Sequence, residues 1–430
     1  MKFLLNITLT LFFFNVAFAE NHLQFFIDAA LKNNLKLNAE RKNQKSIKQN
    51  INISRSEFLP SISLSGNQSS SQSKNKTNQS GSNLSDSNLD TETKTISVDQ
   101  KIFQGFKGYN SLKKSELEVK QADFRLKQVE QQTILDTASS YFDFIFKTKN
   151  EEFNLSNVNL FKRQVESDSA RLQKGEITLT DLAQSESSLA GANANLIKAK
   201  TELLTSKTNF ERVIREKVPS AINANERVEV KLPNTLQEAI NVAKLNNSDL
   251  LIAKLDYQIA EKDLNIEKAK LSPSASINYS KSENKDYSST IDELDQETVK
   301  ATISWPIIKG GENIFSIKKS SLKKQRSLLL SEDAENRVVT ETTNAWSKYQ
   351  SSESVLIATE AQLKAAEIAN EGITLEYDSG NTRTTLELIQ STSLLLDARI
   401  SFAKAERDFI ISKFELAFQL GTLSLDSISS

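Results

Sequence analysis

The sequence contains no cysteine, and it has only one histidine, His22. Without cysteine the chain can form no disulfide, no thiolate metal site and no lipid anchor on an N-terminal cysteine. With one histidine and no glycine-rich phosphate loop, the usual catalytic and metal-binding clusters have almost no residues from which to form. We therefore expect neither a metal nor a cofactor, and carboxylates are the only remaining candidates for chemistry.

Residues that interrupt helices are also scarce, because 430 residues include only 11 glycines and 5 prolines. This composition favours long, unbroken helices. The charge is heavy but balanced, with 54 basic and 55 acidic residues. A balanced charge gives no indication of a nucleic-acid partner and is typical of solvated helix faces.

The first nineteen residues have the pattern of an export signal. Lys2 precedes the apolar run LLNITLTLFFFNV, and Ala17-Phe18-Ala19 forms a small-x-small cleavage site. The alternative is a transmembrane anchor, but the run contains Asn6 and Asn15 and is shorter than the roughly 20 apolar residues that a spanning helix needs. No later stretch reaches that length, so we expect an exported protein without a spanning helix.

The sequence matches itself at intervals of slightly more than 200 residues, which predicts two tandem copies of one structural plan. LQFFIDAALKNN at Leu23 matches LQEAINVAKLNN at Leu236, and Pro60 matches Pro273, both 213 residues apart. Further along, Tyr141 matches Trp346 and Gly175 matches Gly380, both 205 residues apart. We predict a signal peptide (1–19), a first repeat (20–218), a linker element (219–234), a second repeat (235–421) and a C-terminal tail (422–430).

Each copy begins with a helical pattern of about 35 residues that ends at its proline and then changes to the period-two alternation of a strand. Pro60 and Pro273 precede the first strand of each copy, and Gly105 and Gly310 follow the second. A long polar stretch separates the two strands, so we predict a hairpin with a long loop in each copy. The residues predicted to share an apolar face are Ile62 and Leu64, Ile96, Val98 and Ile102, and Val299, Ala301, Ile303 and Trp305.

After each hairpin the helical pattern is much longer. Residues 109–174 contain neither glycine nor proline, enough for one helix of about 100 Å. The helices that follow Gly175 and Gly380 repeat large apolar residues every seven positions and small residues three positions later, a pattern that lets helices approach closely. The small residues are Ser185, Ala192, Ala199 and Ser206, and in the second copy Ser391, Ala398, Ala405 and Ser412.

Four strands in one chain are too few to close a barrel, and isolated hairpins are marginal in water. Symmetric oligomerisation would let strands from several copies close one sheet. An exported chain whose strands alternate apolar with small polar residues fits a barrel that crosses an outer membrane, with Tyr279 and Trp305 at its aromatic girdle. The edge of a soluble β-sandwich alternates in the same way, so the strands alone leave both alternatives open.

At this point the pattern resembles a known family, the TolC-like outer-membrane efflux and secretion channels. The resemblance covers residues 20 to about 421. It rests on the doubled helix–proline–hairpin–long helix plan, on the turns IFQG and WPIIKGG, and above all on the glycine tips, LQKGEITLTDLAQSE and YDSGNTRTTLELIQS. The fold that it implies is mainly α with a small β part: a long α-helical coiled-coil barrel joined to a trimeric, twelve-stranded transmembrane β-barrel with four strands per protomer.

The resemblance also implies roles for the residues of the tips, which would form the periplasmic mouth of the duct. Gly175, Glu176 and Ile177 in the first tip, and Gly380, Asn381 and Thr382 in the second, would dock a periplasmic adaptor. Thr180, Asp181, Tyr377 and Arg383 match the residues that link the gate, if Asn381 is a one-residue insertion. Glu387 matches the first acidic ring of the constriction and Gln390 the second, so one of two ring carboxylates is absent.

The residues of the tips also have simpler interpretations. Asp181 and Glu387 lie early in a helix, where a carboxylate offsets the helix dipole. Arg383 is also a candidate for an ordinary surface salt bridge, and Tyr377 for packing between helices.

The overall function implied is a passive, trimeric exit duct in the outer membrane, with its helical tunnel in the periplasm. Its partners would be outer-membrane lipid, a periplasmic adaptor and an inner-membrane pump of the RND or ABC type. Two alternatives from other classes are a secreted coiled-coil adhesin or spacer, and an enzyme that uses Asp181 and Glu387 as an acid/base pair.

Overall fold

A computed structural model gives the structure of residues 22–218, 228–288, 290–379 and 383–429. The predicted signal peptide, residues 1–19, lies outside these described residues, and so do residues 219–227 of the predicted linker. The described residues form two compact units. The hairpin unit comprises the described part of Met1–Leu35, Gln131–Leu236 and Asn344–Ser430, and the sheet unit that of Lys36–Glu130 and Gln237–Thr343. Each unit takes segments from both halves of the chain.

The two halves of the chain contain their main elements in the same order. The first half has α1 (His22–Asn33), α2 (Leu35–Ser56), β1 (Ser61–Ser73), β2 (Lys76–Thr77), β3 (Asn83–Leu84), β4 (Ser87–Gln104), α3 (Lys107–Gln173) and α4 (Leu179–Ile214). The second has β5 (Glu229–Val230), α5 (Leu236–Asn246), α6 (Ser248–Ala269), β6 (Ser274–Ser288), β7 (Ile291–Ser304), α7 (Glu312–Asp378), α8 (Thr385–Gln419) and β8 (Ile428–Ser429).

Helices dominate the described residues, and α3 and α7 each run unbroken for 67 residues. The prediction of long helices from the scarcity of glycine and proline is therefore confirmed. No helix in the described ranges is both long enough and apolar enough to cross a membrane.

The prediction of a single helix of about 35 residues before each proline is wrong. In both halves of the chain an asparagine divides this segment into two helices. Asn34 separates α1 from α2, and Asn247 separates α5 from α6. The Asn247 side chain accepts hydrogen bonds from the backbone N–H groups of Asp249 and Leu250, at 3.0 and 3.2 Å. An asparagine that caps the next helix in this way competes with continuation of the preceding one. The signal in the sequence is the Asn-Asn pair that occurs at both places.

The sheet unit contains one four-stranded antiparallel sheet in the order β1-β4-β6-β7. Its outer strands, β1 and β7, have 13 and 14 residues. In the described part of the chain neither has a partner on its outer side.

The two faces of this sheet differ sharply. Successive residues of a strand point to opposite faces, so residues paired across the strands share a face. One such row is Ile62, Val98, Tyr279 and Val299, which is apolar or aromatic throughout. The adjacent row, on the other face, is Ser61, Asp99, Asn278 and Lys300, in which Asn278 donates to the Asp99 carboxylate at 2.8 Å. The predicted alternation of apolar and polar residues is confirmed for these rows.

Three details of the predicted hairpins are wrong. The second hairpin has no long loop, because β6 extends to Ser288 and β7 begins at Ile291. Ile102 does not continue the alternation of Ile96 and Val98, because the register shifts between Lys101 and Phe103. Trp305 lies beyond the end of β7, where its indole N–H donates to the Leu271 carbonyl at 3.0 Å. The polar stretch SENKDYSSTIDELDQ, residues 282–296, was predicted to be a loop but continues β6 and begins β7, since a sheet with a solvent-facing side accommodates polar residues along its strands.

The residues predicted to bound the strands lie where the sequence places them. Pro60 and Pro273 immediately precede β1 and β6, and Gly105 follows β4. Gly310 lies in the turn between β7 and α7, with a φ of +57°. Gly105 has a φ of +61°, and a Cβ there would lie 2.4 Å from the Cβ of Ser272. Only glycine fits that position without displacing its neighbours.

The main core of the hairpin unit is aromatic. Phe26 of α1, Tyr141 of α3 and Phe210 of α4 are nearly or fully buried, and their rings lie 5.0 to 6.5 Å apart. Phe414 of α8 joins the same cluster and is also fully buried. Beside this core β5 pairs with β8, so part of the predicted linker pairs with the predicted tail.

The predicted seams of α4 and α8 are confirmed by burial. The small residues spaced along them are all buried: Ser185, Ala192, Ala199, Ser206, Ser391, Ala398, Ala405 and Ser412. Of the leucines and phenylalanines that alternate with them, Leu196, Phe210, Leu388, Leu395 and Leu416 are buried, and the others are half-buried. Small residues therefore lie where helices approach most closely, as the spacing predicts.

Candidate functional site

The residues singled out in the sequence lie at or near the ends of the two helical hairpins of the hairpin unit, α3–α4 and α7–α8, as far as these ends are described. In the first hairpin, α3 ends at Gln173 and the chain reverses at Gly175, whose φ of +73° is left-handed. The Gly175 and Glu176 N–H groups donate to the carbonyls of Leu172 and Arg171, each at 2.9 Å. These bonds satisfy the free carbonyls at the end of α3, a role for which glycine is favoured. Glu176 and Lys174 are exposed, and Ile177 is half-buried.

In the second hairpin, α7 ends at Asp378 and α8 begins at Thr385. The predicted docking residues Gly380, Asn381 and Thr382 lie outside the described residues. The role predicted for them remains a prediction.

Both returning helices start with the same capping arrangement. Thr178 caps α4: its hydroxyl accepts from the Asp181 N–H at 3.3 Å, and Asp181 accepts from the Thr178 N–H at 2.8 Å. Thr384 caps α8 in the same way with Glu387, at 3.2 and 2.8 Å. The capping box satisfies backbone donors at a helix start and positions a carboxylate near the positive end of the helix dipole. Asp181 and Glu387 therefore do offset the dipole of the helix that each one begins, which is the simpler interpretation of these two residues.

The caps lower the pKa of both carboxyl groups. The Thr178 hydroxyl and backbone N–H lower the pKa of Asp181, and Arg171 contributes more weakly. The Thr384 backbone N–H, the Arg383 guanidinium and the Thr384 hydroxyl lower the pKa of Glu387. A carboxyl group whose pKa is lowered on folding stabilises the folded state above its ordinary pKa, and this stabilisation is lost as the pH falls through the lowered value.

We expect the hairpin ends to loosen in acid, below the ordinary pKa range of a carboxyl group. A spin label attached at Lys174→Cys should become more mobile as the pH falls, because protonated Asp181 no longer accepts the Thr178 hydrogen bonds. The chain has no native cysteine, so the label reports only this turn. Asp181→Asn should remove this pH dependence, and an equal pH response with and without Asp181 would contradict the explanation.

Arg383 is bound within its own hairpin. Its Nε donates to Glu376 Oε2 at 2.6 Å, and its Nη1 donates to Glu387 Oε1 at 3.0 Å. These two bonds join the end of α7 to the start of α8 and raise the pKa of Arg383. The Glu387 carboxylate thus has a cation beside it, which reduces the negative field that it can present.

Tyr377 is 4% exposed, and its hydroxyl donates to Asp168 Oδ1 of α3 at 2.7 Å. The hydroxyl also receives a hydrogen bond from Gln164 at 3.1 Å and lies 3.3 Å from the Thr385 hydroxyl. Burial and the bond to Asp168 raise the pKa of Tyr377. Tyr377 therefore joins the second hairpin to the first through Asp168. Asp181 forms its hydrogen bonds with Thr178 instead.

Sequence reasoning missed Asp168, although a signal was present. Val158, Phe161, Val165 and Asp168 follow the 3-4-3 spacing of a helical seam, so the aspartate continues an apolar series. Asp168 is completely buried in the structure. A charged residue at a seam position has to find hydrogen-bond partners there, which marks it as a candidate for a specific contact.

The remaining predicted residues lie on open surfaces. Thr180 is exposed in the first turn of α4. Gln390 is exposed and, with Glu387, lines a groove of about 440 Å³ between α7 and α8, whose α7 side is largely alanine. The structure thus brings Tyr377, Arg383 and Glu387 together around the second hairpin end. Thr180 and Asp181 lie at the first.

Comparison with known proteins shows which family this chain matches. A sequence model of the family described as "Outer membrane efflux protein" matches residues 26–214 and 239–422. The outer membrane efflux protein BepC of Brucella suis is 24% identical over 403 residues, covering 93% of this chain and 85% of that protein. The outer membrane protein TolC of Vibrio cholerae is 24% identical over 381 residues, covering 87% of this chain and 84% of that protein.

A solved structure has the same fold at lower identity. The Campylobacter jejuni CmeC outer membrane channel superposes with a TM-score of 0.81 at 16% identity, covering 93% of this chain and 85% of that chain.

Proposed function

The chain belongs to the outer membrane efflux protein family, and from this premise we propose that three copies form an outer-membrane channel-tunnel. The duct is passive, and it is the exit of a tripartite efflux system or of a type I secretion system. Its partners are a periplasmic adaptor and an energised inner-membrane pump of the RND or ABC type. Membership of a transport family gives no support to the adhesin alternative or to an acid/base enzyme.

The observation that carries the proposal is the open sheet of the sheet unit. β1 and β7 are long edge strands whose outer backbone groups have no partner in the described chain. An open edge of this length is a ready site for pairing with another chain, and closure into a barrel removes it. The four strands alternate in direction, so β7 of one copy is antiparallel to β1 of the next. Three copies would close a barrel of twelve strands around a shared lumen.

The faces of the sheet support a barrel that crosses a membrane. The row Ile62, Val98, Tyr279 and Val299 is apolar, as the lipid-facing side requires, whereas Asp99 and Lys300 are on the side that would face water. Trp305 follows the end of β7 and is 62% exposed, a suitable position for an aromatic girdle. Tyr279 lies two rows from the charged pair Lys281–Glu297, on the same face, and would serve the opposite boundary.

The hairpin ends are the proposed mouth of the duct. Residues 175–177 of the first hairpin turn, and residues 380–382, which lie outside the described residues, would dock the adaptor. The residues that would line or hold the gate are Thr180, Asp181, Tyr377, Arg383, Glu387 and Gln390. The pairing of Glu387 with Arg383 supports a constriction of modest charge, since one ring carboxylate is replaced by Gln390 and the other is partly neutralised.

The proposal is tested by reconstitution in planar lipid bilayers together with sedimentation in detergent. We expect discrete conductance steps and a mass of three chains. A protein that sediments as one chain and gives no conductance would disprove the duct, and release from membranes without detergent would favour the adhesin.

Replacing Arg383 with serine together with Asp181→Ala should raise the conductance severalfold. The double variant removes the Glu376–Arg383–Glu387 link and the first capping box, so the hairpin ends lose the bonds that fix them. Thr178→Ala removes the cap while keeping the Asp181 charge, and Arg399→Ser removes a comparable pair with Glu367 further along the same hairpin. Conductance equal to that of the two controls would refute the gate assignment.

A further inference from the structure

The beginning of α7 carries a run of positive charge in a chain whose total charge is balanced. Residues 313–331 contain five basic residues and no acidic one. Four of the basic residues are exposed, and they line a groove of about 440 Å³ together with two apolar residues. The six residues of this basic groove are Phe315, Lys318, Lys319, Leu322, Lys323 and Arg326.

The four basic side chains of the groove form no ion pair within the described residues. The basic residues on either side of them do, because Lys309 pairs with Glu312 at 3.0 Å and Lys324 pairs with Glu261 of α6 at 2.9 Å. Unpaired charges of one sign repel one another, and an anion bound among them removes the repulsion. The basic groove therefore has the charge of an anion-binding surface.

The groove also has an apolar part. Phe315 and Leu322 are 69% and 57% exposed, whereas Asn313 and Ser320, on another side of the same helix, are buried. The spacing of three, four and seven residues puts the two apolar side chains on one face of α7 with the basic ones. A helix face that combines apolar and basic residues is typical of a surface that contacts anionic lipid.

The basic groove begins close to the end of the sheet. β7 ends at Ser304 and α7 begins at Glu312. Ile307 and Ile308, which lie between them, are 76% and 88% exposed. They follow Trp305, the proposed girdle residue at this end of the barrel, so the first turns of α7 would lie next to the membrane boundary.

The direction of the side chains favours the same location. Side chains of a helix lean toward its N-terminus, and the N-terminus of α7 is the end next to the sheet. Lys323 and Arg326 therefore extend back toward the proposed membrane boundary. Long basic side chains at such a boundary place their charged ends among phosphate groups while their stems cover apolar surface.

A second copy of the chain is the other candidate to cover the groove. If β7 of one copy pairs with β1 of the next, the α2 that leads into that β1 comes close to α7. Helix α2 has six basic residues and only one acidic residue, Glu40. Like charges brought together oppose association. The neighbouring copy would therefore add positive charge to the groove, and the need for an anion would increase.

We propose that the basic groove binds the phosphate of an anionic phospholipid in the periplasmic leaflet of the membrane, with Phe315 and Leu322 against its acyl chains. The location at the membrane boundary rests on the proposed function. The charge and the apolar part of the groove follow from the side chains of α7 alone.

The experiment measures lipid retention by native mass spectrometry of the full chain in a neutral detergent. We expect the protein to retain phosphatidylglycerol in preference to phosphatidylcholine. The triple variant Lys318→Gln, Lys319→Gln and Lys323→Gln should weaken the binding of phosphatidylglycerol at least about tenfold, because each basic residue next to anionic lipid strengthens binding severalfold. Equal retention of the two lipids by the native protein would overturn the proposal.

The matched control removes the same charge from the other unit. Lys198, Lys200 and Lys207 of α4 are exposed and form no ion pair within the described residues. Their combined change to glutamine should leave the retention of phosphatidylglycerol unchanged. An equal loss in this control and in the α7 variant would refute the proposal, since net charge alone would then explain the binding.

Two further outcomes test the occupant of the groove. Soluble glycerophosphate in large excess should not displace the lipid, because it lacks acyl chains, and displacement would overturn the proposal in favour of a site for soluble anions. The α7 variant should sediment like the native protein. If it alone sedimented as one chain, the groove would be a contact between copies. A native protein that gives no conductance but prefers phosphatidylglycerol would refute the duct and uphold the lipid surface.

Discussion

Val299→Lys should lower assembly of the protein in the outer membrane more than tenfold. Val299 is 73% exposed and lies in the row with Ile62, Val98 and Tyr279, on the face proposed to contact lipid. A lysine on the lipid face of a barrel costs about 2–4 kcal/mol at mid-membrane and less toward the boundary, where the pairing with Tyr279 puts Val299, so we expect about 1 kcal/mol per copy. The cost applies to every copy, so in a trimer it is incurred three times. We expect the amount of folded trimer in outer-membrane fractions to fall accordingly.

The control for this variant lies one residue away. Thr298→Lys introduces the same charge on the other face, which already carries Lys300 and Asp99. We expect this protein to assemble normally, since that face would line the lumen. Equal assembly of both variants would mean that the faces are not divided between lipid and water, and the barrel proposal would fail.

Phe210→Ala should destabilise the hairpin unit by about 3–5 kcal/mol, the range for removing a fully buried phenylalanine. The Phe210 ring packs edge-on against Phe26 at 5.0 Å and also contacts Phe144 at 5.8 Å. Its loss leaves a cavity where α1, α3 and α4 meet. The measurement is the midpoint of denaturant unfolding, followed by circular dichroism. The midpoints of the variant and the native protein are compared when the free energy of unfolding depends equally on denaturant concentration in both.

Phe25→Ala is the matched control, because Phe25 also contacts Phe26, at 5.3 Å, but is 61% exposed. We expect a loss below about 1 kcal/mol there. If both variants lost the same stability, packing against Phe26 alone would explain the effect, and the buried position of Phe210 would not be decisive.

Local patterns in the sequence predicted much of this fold. The absence of glycine and proline from 109–174 predicts α3, and the spacing of small residues predicts the buried seams of α4 and α8. Both signals are local. Whether a helix continues, and how closely two helices can pack, depends on residues a few positions apart in the sequence. The strands of the first hairpin follow in the same way from the alternation around Ile62 and Val98.

Features that depend on distant partners were harder to predict. The break at Asn247 is explained by its capping bonds to Asp249 and Leu250, which become visible only in the structure. Asp168 finds its crossing donor 209 residues later in the chain, so no local pattern identifies Tyr377 as its partner. The family resemblance assigned Tyr377 a linking role, and the structure adds the acceptor. The polar composition of SENKDYSSTIDELDQ, residues 282–296, predicted a loop where β6 continues and β7 begins, because polar residues are equally compatible with a loop and with a strand that has a solvent-facing side.

The pairing of β4 with β6 constrains the order in which the exported chain can fold. Val98 pairs with Tyr279, so the centre of the sheet cannot form until most of the chain has crossed the inner membrane. The same holds at the end of the sequence, where Val230 pairs with Ile428. Contacts between such distant residues form slowly, because the loop that they close is long. Until β6 is available, β1 and β4 can pair only with each other, and the outer edge of β4 is open to pairing with another chain.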